Sequence, residues 1–127
     1  MIIARNTAQQ KLVLEILSES SKALSADEIL SKLPKTINKS TVYRILEKFV
    51  QQGKIHFVTG EEGKSFYALC KSCSAESHNH FHIHFQCRKC KVVKCLSQTV
   101  DVPNLENYTI LDSQFLLIGI CEACNKN

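Results

Sequence analysis

Six of the seven cysteines in this 127-residue chain stand in three Cys-x-x-Cys pairs, Cys70/Cys73, Cys87/Cys90 and Cys121/Cys124. Thiolates at this spacing are soft metal ligands, and two such pairs supply the closed tetrahedral shell of a structural zinc ion. Cys87, Cys90, Cys121 and Cys124 make the best set, with 30 residues between the two pairs. That gap is longer than a zinc finger's, so the metal would staple separate strands. Paired thiols also serve disulfide exchange, but two pairs at the ends of candidate strands fit one metal ion better.

Four of the five histidines lie just ahead of the second pair, and His80, His82 and His84 alternate with Phe81, Ile83 and Phe85. On a β-strand this alternation puts three imidazoles on one face and three apolar side chains on the other. His56, His78, Cys70, Cys73 and Cys95 are the remaining histidines and cysteines. A lone residue of this kind is usually packing or surface, and Cys95 is read as a small buried side chain. The others gather around one stretch of chain. His82 and His84 share a strand face, and His56 and Cys70 fall on the two strands of a candidate hairpin. A site drawing on both would fix one orientation of the two halves, which is a physical route to metal control.

The elements that must position these groups follow from periodicity. Leu12, Val13, Ile16 and Leu17 recur at helical spacing between Thr7 and Ser20. Ser25-Ala26-Asp27-Glu28 is a capping-box pattern opening a second helix, which Pro34 should stop. A third helix, from about Asn38 to Gln52, carries the stripe Val42, Ile45, Leu46, Phe49 and Val50, and Gly53 ends it. Residues 54–59 and 64–69 flank a Gly60-Glu61-Glu62-Gly63 turn and read as a β-hairpin. Three helices and a hairpin are the order of a winged helix-turn-helix. Ser40, Thr41, Tyr43 and Arg44 then lie where such a domain meets the major groove.

Further on, residues 92–96 and 109–120 read as strands, the second apolar on both faces at its end, as if a partner subunit covered it. A polar stretch near residues 71–80 separates the halves. The expected fold is therefore α+β: a winged-helix DNA-binding domain over 1–70, a hinge loop over 71–80, and a small, mostly β, metal-binding dimerisation domain over 81–127. Net charge is +4, with ten Lys/Arg against seven Asp/Glu in residues 1–70 and six against five after them. This mild excess agrees with a nucleic-acid partner. No apolar run reaches the roughly 18 residues of a membrane span. The opening Met1-Ile2-Ile3-Ala4-Arg5-Asn6 lacks the layout of a secretory signal, so a cytoplasmic location is expected.

Taken together, Ser40-Thr41-Val42-Tyr43-Arg44, Gly63-Lys64-Ser65-Phe66-Tyr67, His82-x-His84-x-x-Cys87-x-x-Cys90 and the final Cys121-x-x-Cys124 resemble the ferric uptake regulator family over nearly the whole chain. The resemblance implies a dimeric, metal-sensing repressor that binds a palindromic operator in double-stranded DNA. It implies one structural zinc on Cys87, Cys90, Cys121 and Cys124, and a regulatory site that includes His82 and His84. The zinc-sensing branch takes its other two ligands where His56 and Cys70 stand. The iron and peroxide sensors use a histidine and an acidic residue where this chain has Ala23 and Ala68. Three imidazoles with one thiolate also suit zinc better than Fe(II) or Mn(II). The expected function is thus a zinc-responsive regulator of metal uptake, with one structural and one regulatory zinc ion per chain. The alternatives are an iron, manganese or peroxide sensor of the same family, and a zinc-storage or thiol-redox protein.

Three departures from the family shape further expectations. The segment 97–108 contains Pro103, so the family's dimerisation helix should be short or absent. Val102 and Ser113 stand where a third metal site needs an acidic residue and a histidine, so that site is not expected in its usual form. The loop 71–80 adds Cys73, His78 and His80 as further possible ligands, Cys73 as a replacement for Cys70. An enzyme is not expected. A zinc deaminase needs H-x-E and P-C-x-x-C, neither of which occurs, and four thiolates leave no open position for water or a small-molecule substrate.

Overall fold

A computed structural model describes the backbone of residues 2–69, 80–111 and 113–126, and their side chains except at 2–7, 80–82, 97 and 99. The first half is built from α1 (Ile2–Glu19), β1 (Leu24–Ser25), α2 (Ala26–Ser31), α3 (Lys39–Gln51), β2 (His56–Thr59) and β3 (Ser65–Ala68). Its core is the set of apolar positions that helical spacing places together. Val13 and Leu17 of α1, Ile29 of α2, and Val42, Ile45, Leu46 and Phe49 of α3 are all buried in one cluster. Local signals set the helix ends. The Ser25 hydroxyl accepts from the Glu28 N–H (3.2 Å) and the Glu28 carboxylate accepts from the Ser25 N–H (3.0 Å), closing the capping box. The Asn38 side chain accepts from the Thr41 N–H at 2.9 Å and opens α3. Gly53, at φ 72, follows the α3 C-cap in a conformation that favours glycine.

The hairpin β2–β3 is widened by β1 into a three-stranded sheet of order β1-β3-β2. β1 escapes sequence reading because two residues are too few to show a period. α2 stops at Ser31, ahead of Pro34.

The second half is a sheet of order β5-β4-β6, followed by α4 (Glu122–Asn125). β4 (His80–Cys87) is central, antiparallel to β5 (Val93–Asp101) and parallel to β6 (Leu116–Gly119). Two expectations are corrected. β5 is longer than the strand read at 92–96, because residues 99–101 continue to pair with residues 80–82 of β4. The strand read at 109–120 is confined to Leu116–Gly119, the stretch that meets β4 in register. Among the described residues no helix lies between Asp101 and Leu116, as Pro103 suggests.

The halves touch. Ala23, Val58 and Val93 are buried together with Phe66, Ala68 and Leu116 against them, and the Ala23 N–H donates to the Val93 carbonyl at 2.7 Å. Among the described residues no helix is long and apolar enough to cross a membrane.

Candidate metal centre and nucleic-acid face

Cys87 ends β4, Cys90 follows in a turn, and Cys121 and Cys124 flank the first turn of α4. Strand β6 delivers the second pair to the first, since Gly119 pairs with Cys87 and the Arg88 N–H donates to the Gly119 carbonyl at 2.8 Å. The four sulfurs all lie within 4.8 Å of one another, with Cys87 to Cys124 at 3.8 Å and Cys90 to Cys121 at 3.7 Å. These distances exclude a disulfide, whose sulfurs are about 2.05 Å apart. They match the edge of a zinc tetrahedron, about 3.8 Å for Zn–S bonds of about 2.3 Å. Cys87 is fully buried and accepts from the backbone N–H groups of Cys90 and Cys121, each at 3.4 Å.

These donors have an electrostatic consequence. The Cys90 N–H lowers the Cys87 thiol to about 6 against the opposing effect of burial, with help from the N–H groups of Cys121 and Lys89. The Cys124 thiol is pushed up to about 12, first by its contact with Cys121, then by burial and by Cys87 and Cys90. The cluster favours the thiolate of Cys87 and resists that of Cys124 until a cation compensates it. The donor set fits zinc, which would cross-link β4, the following turn and α4.

The histidine site is described in part. His56 lies in β2 opposite Ala68 of β3, and His84 lies in β4 opposite Cys95 of β5 and Leu116 of β6. His80 and His82 belong to β4, with the register shift against β5 falling between His82 and His84. Cys70, Cys73 and His78 lie outside the described residues. Cys95 is half-buried, less enclosed than the packing residue expected from sequence.

On α3, Ser40, Tyr43 and Arg44 are exposed and Thr41 is partly so. The Thr41 hydroxyl donates to the Asn38 side chain at 3.0 Å, so this residue also belongs to the helix cap. Sequence reading missed Lys39, which pairs with Asp27 at 2.8 Å and sits 5.8 Å from the Tyr43 ring centroid. It also missed Gly60, Glu61, Gln86, Arg88 and Gln114, which join the hairpin turn to the second sheet. Isolated polar residues carry no periodic signal.

The architecture and its motifs recur in known proteins. Residues 3–115 match the model of the ferric uptake regulator family. A ferric uptake regulation protein of Staphylococcus epidermidis is 33% identical over 95% of this chain and 87% of that protein. Among solved structures, a zinc uptake regulator complexed with zinc and DNA is similar at a TM-score of 0.68 and 25% identity, covering 93% of this chain and 81% of the other. The ferric uptake regulator of Helicobacter pylori, described as having three functional metal-binding sites, matches at 0.63 and 18% identity over 94% and 81%. Given this agreement over almost the full length, the chain belongs to the ferric uptake regulator family of metal-responsive transcriptional regulators and is not an enzyme.

Proposed function

We propose that this protein is a zinc-responsive repressor that acts in the cytoplasm as a homodimer on a palindromic operator of metal-uptake genes. In this reading residues 1–70 are the DNA-binding domain, 71–80 the hinge, and 81–127 the dimerisation domain. One zinc ion stays on Cys87, Cys90, Cys121 and Cys124. A second, exchangeable ion is held by His56, Cys70, His82 and His84, with Cys73 as the alternative to Cys70 and His78 and His80 as further candidates. Zinc brings charge that ties residues of both halves together and favours the orientation in which two α3 helices match two half-sites. Ser40, Thr41, Tyr43 and Arg44 meet the DNA.

What carries the reading is the exposed Ser40–Tyr43–Arg44 face of α3, on a helix whose opposite face is fully committed to the core. Zinc as the signal is supported by the nitrogen and sulfur character of the proposed ligands, and by Ala23 and Ala68, which cannot bind a metal. The iron-sensing alternative is favoured by one observation, the 33% identity to a ferric uptake regulation protein.

Operator binding titrated against buffered free zinc, Fe(II) and Mn(II) at fixed salt decides between them, since phosphate contacts are salt-dependent. Zinc should restore binding at the lowest free concentration, and Cys70→Ser or His82→Ala should abolish that response while leaving a folded dimer. A response to Fe(II) alone transfers the protein to the iron sensors. Failure to bind DNA with any metal ends the repressor reading.

A further inference from the structure

The turn between β2 and β3 is gripped by the second sheet through contacts that involve no proposed metal ligand. The Thr59 N–H donates to Gln114 Oε1 at 2.8 Å, and Gln114 Nε2 donates back to the Thr59 carbonyl at 2.9 Å. A side-chain amide here pairs the backbone as another strand would. Two residues later the Glu61 N–H donates to Oε1 of Gln86, a largely buried side chain, at 2.9 Å. The Glu61 carboxylate receives Arg88 through both oxygens, Nε at 3.1 and 3.2 Å and Nη2 at 2.9 Å. Gln86 and Arg88 are the immediate neighbours of Cys87, so the four-cysteine cluster anchors the strand end that holds the turn.

Gly60 makes the approach possible. A Cβ on Gly60 would lie 2.9 Å from Gln86 Oε1, 3.1 Å from its Nε2 and 3.1 Å from the Phe66 ring. Gly60 is not among the glycines with positive φ, so closeness of approach is what its lack of a side chain provides. The ion pair is exposed and by itself contributes little, whereas the amide contacts at Gln86 are shielded from water. Their common effect is to favour docking of the hairpin before any regulatory metal arrives. A ligand that binds only the docked form has an apparent affinity proportional to the docked fraction.

We propose that Thr59, Gly60 and Glu61, with Gln86, Arg88 and Gln114, form a latch between the wing hairpin and the second sheet that does not require the regulatory metal, and that these positioning residues set the free-metal concentration at which the protein binds DNA. The second clause rests on the repressor reading; the first does not. Both are tested on the full-length protein, with one zinc ion per chain retained and exchangeable metal removed. In the wild type the Thr59 and Glu61 amides should be protected from hydrogen exchange, and in Gly60→Ala they should exchange about tenfold faster, the factor that corresponds to about 1.4 kcal/mol. Equal rates in the two proteins, or unprotected amides in the wild type, overturn the latch whatever the protein does with DNA. On an operator fragment, the free zinc giving half-maximal binding should rise in Gly60→Ala in proportion to the loss of docked fraction. Faster exchange with an unmoved midpoint overturns the set-point role. If Gly60→Ala does not fold, Arg88→Glu and Glu61→Arg replace it: each alone sets two like charges against one another and should speed exchange of the position-61 amide, and the double exchange of charge should reverse most of the effect. Failure of that reversal also overturns the latch.

Discussion

The two halves of the chain are stabilised in opposite ways. Among the described residues, fourteen of the sixteen buried apolar side chains lie between Val13 and Val58, and only Cys87 and Val93 lie in the second half. Large exposed apolar side chains are distributed the other way, with seven of ten from Leu105 onward, including Tyr108 at 75% and Leu111 at 92% exposed. The winged-helix half has a core of its own. The described residues of the second half bury little apolar surface and bring four thiols within one ion's reach. Apolar burial thus holds the first half, while the second has clustered thiols and exposed apolar side chains in its place.

Removing the cluster should separate the halves most clearly. Cys87→Ser deletes the most enclosed ligand, and zinc content should fall by about one ion per chain with the loss of binding free energy on the order of 10 kcal/mol. That is comparable to the whole stability of a small domain. Hydrogen exchange should show β4, β5, β6 and α4 losing protection while α1, α2 and α3 keep theirs. A second half that remains protected without zinc would contradict the contrast. The reciprocal change, Phe49→Ala, opens a cavity in the first core and should destabilise it by about 3–5 kcal/mol in a denaturant titration. Metal analysis should find the zinc retained.

The apolar surface makes the next test. Ile118 of β6 is exposed although its strand is in the sheet, and among the described residues β6 is an edge with one neighbour. If a second copy covers that surface, Ile118→Asp buries a carboxylate in the interface. Sedimentation should then show dimer dissociation strengthened on the order of a hundredfold, the scale of a central interface residue. The same variant with an unchanged dimer would place the partner surface elsewhere, toward Tyr108 and Leu111.

The same contrast governs what could be read in the sequence. The first half was legible because its core is local and periodic: the α3 stripe and the Ser25–Glu28 box are short-range patterns, and both are present. The cysteine set was legible for a related reason, because each pair is a local motif with its own chemistry. Strand limits in the second half were not. Residues 109–120 are rich in apolar side chains, yet among the described residues only Leu116–Gly119 has a strand beside it, because neighbours decide that and spacing does not. The extension of β5 to Asp101 likewise depends on pairing with β4. Turn contacts such as Gln86 with Glu61 join residues 25 positions apart with no motif at either end.

Ser25→Ala carries the smallest expected effect and probes whether the contrast is strict. Ser25 caps α2 through its hydroxyl, and its backbone pairs with Phe66 of β3. Two residues earlier, Ala23 bonds to Val93 in the second half. Alanine removes the hydroxyl and leaves the Glu28 N–H without its cap, while both backbone pairings survive. The expected loss is about 1 kcal/mol, typical of an N-cap, read as a lowered denaturation midpoint with unchanged denaturant sensitivity. Zinc retention should not change, because no ligand or neighbour of the cluster is touched. If zinc release accelerates as well, the strain has passed through Ala23 and Val93, and the two halves stabilise one another more than their separate cores imply.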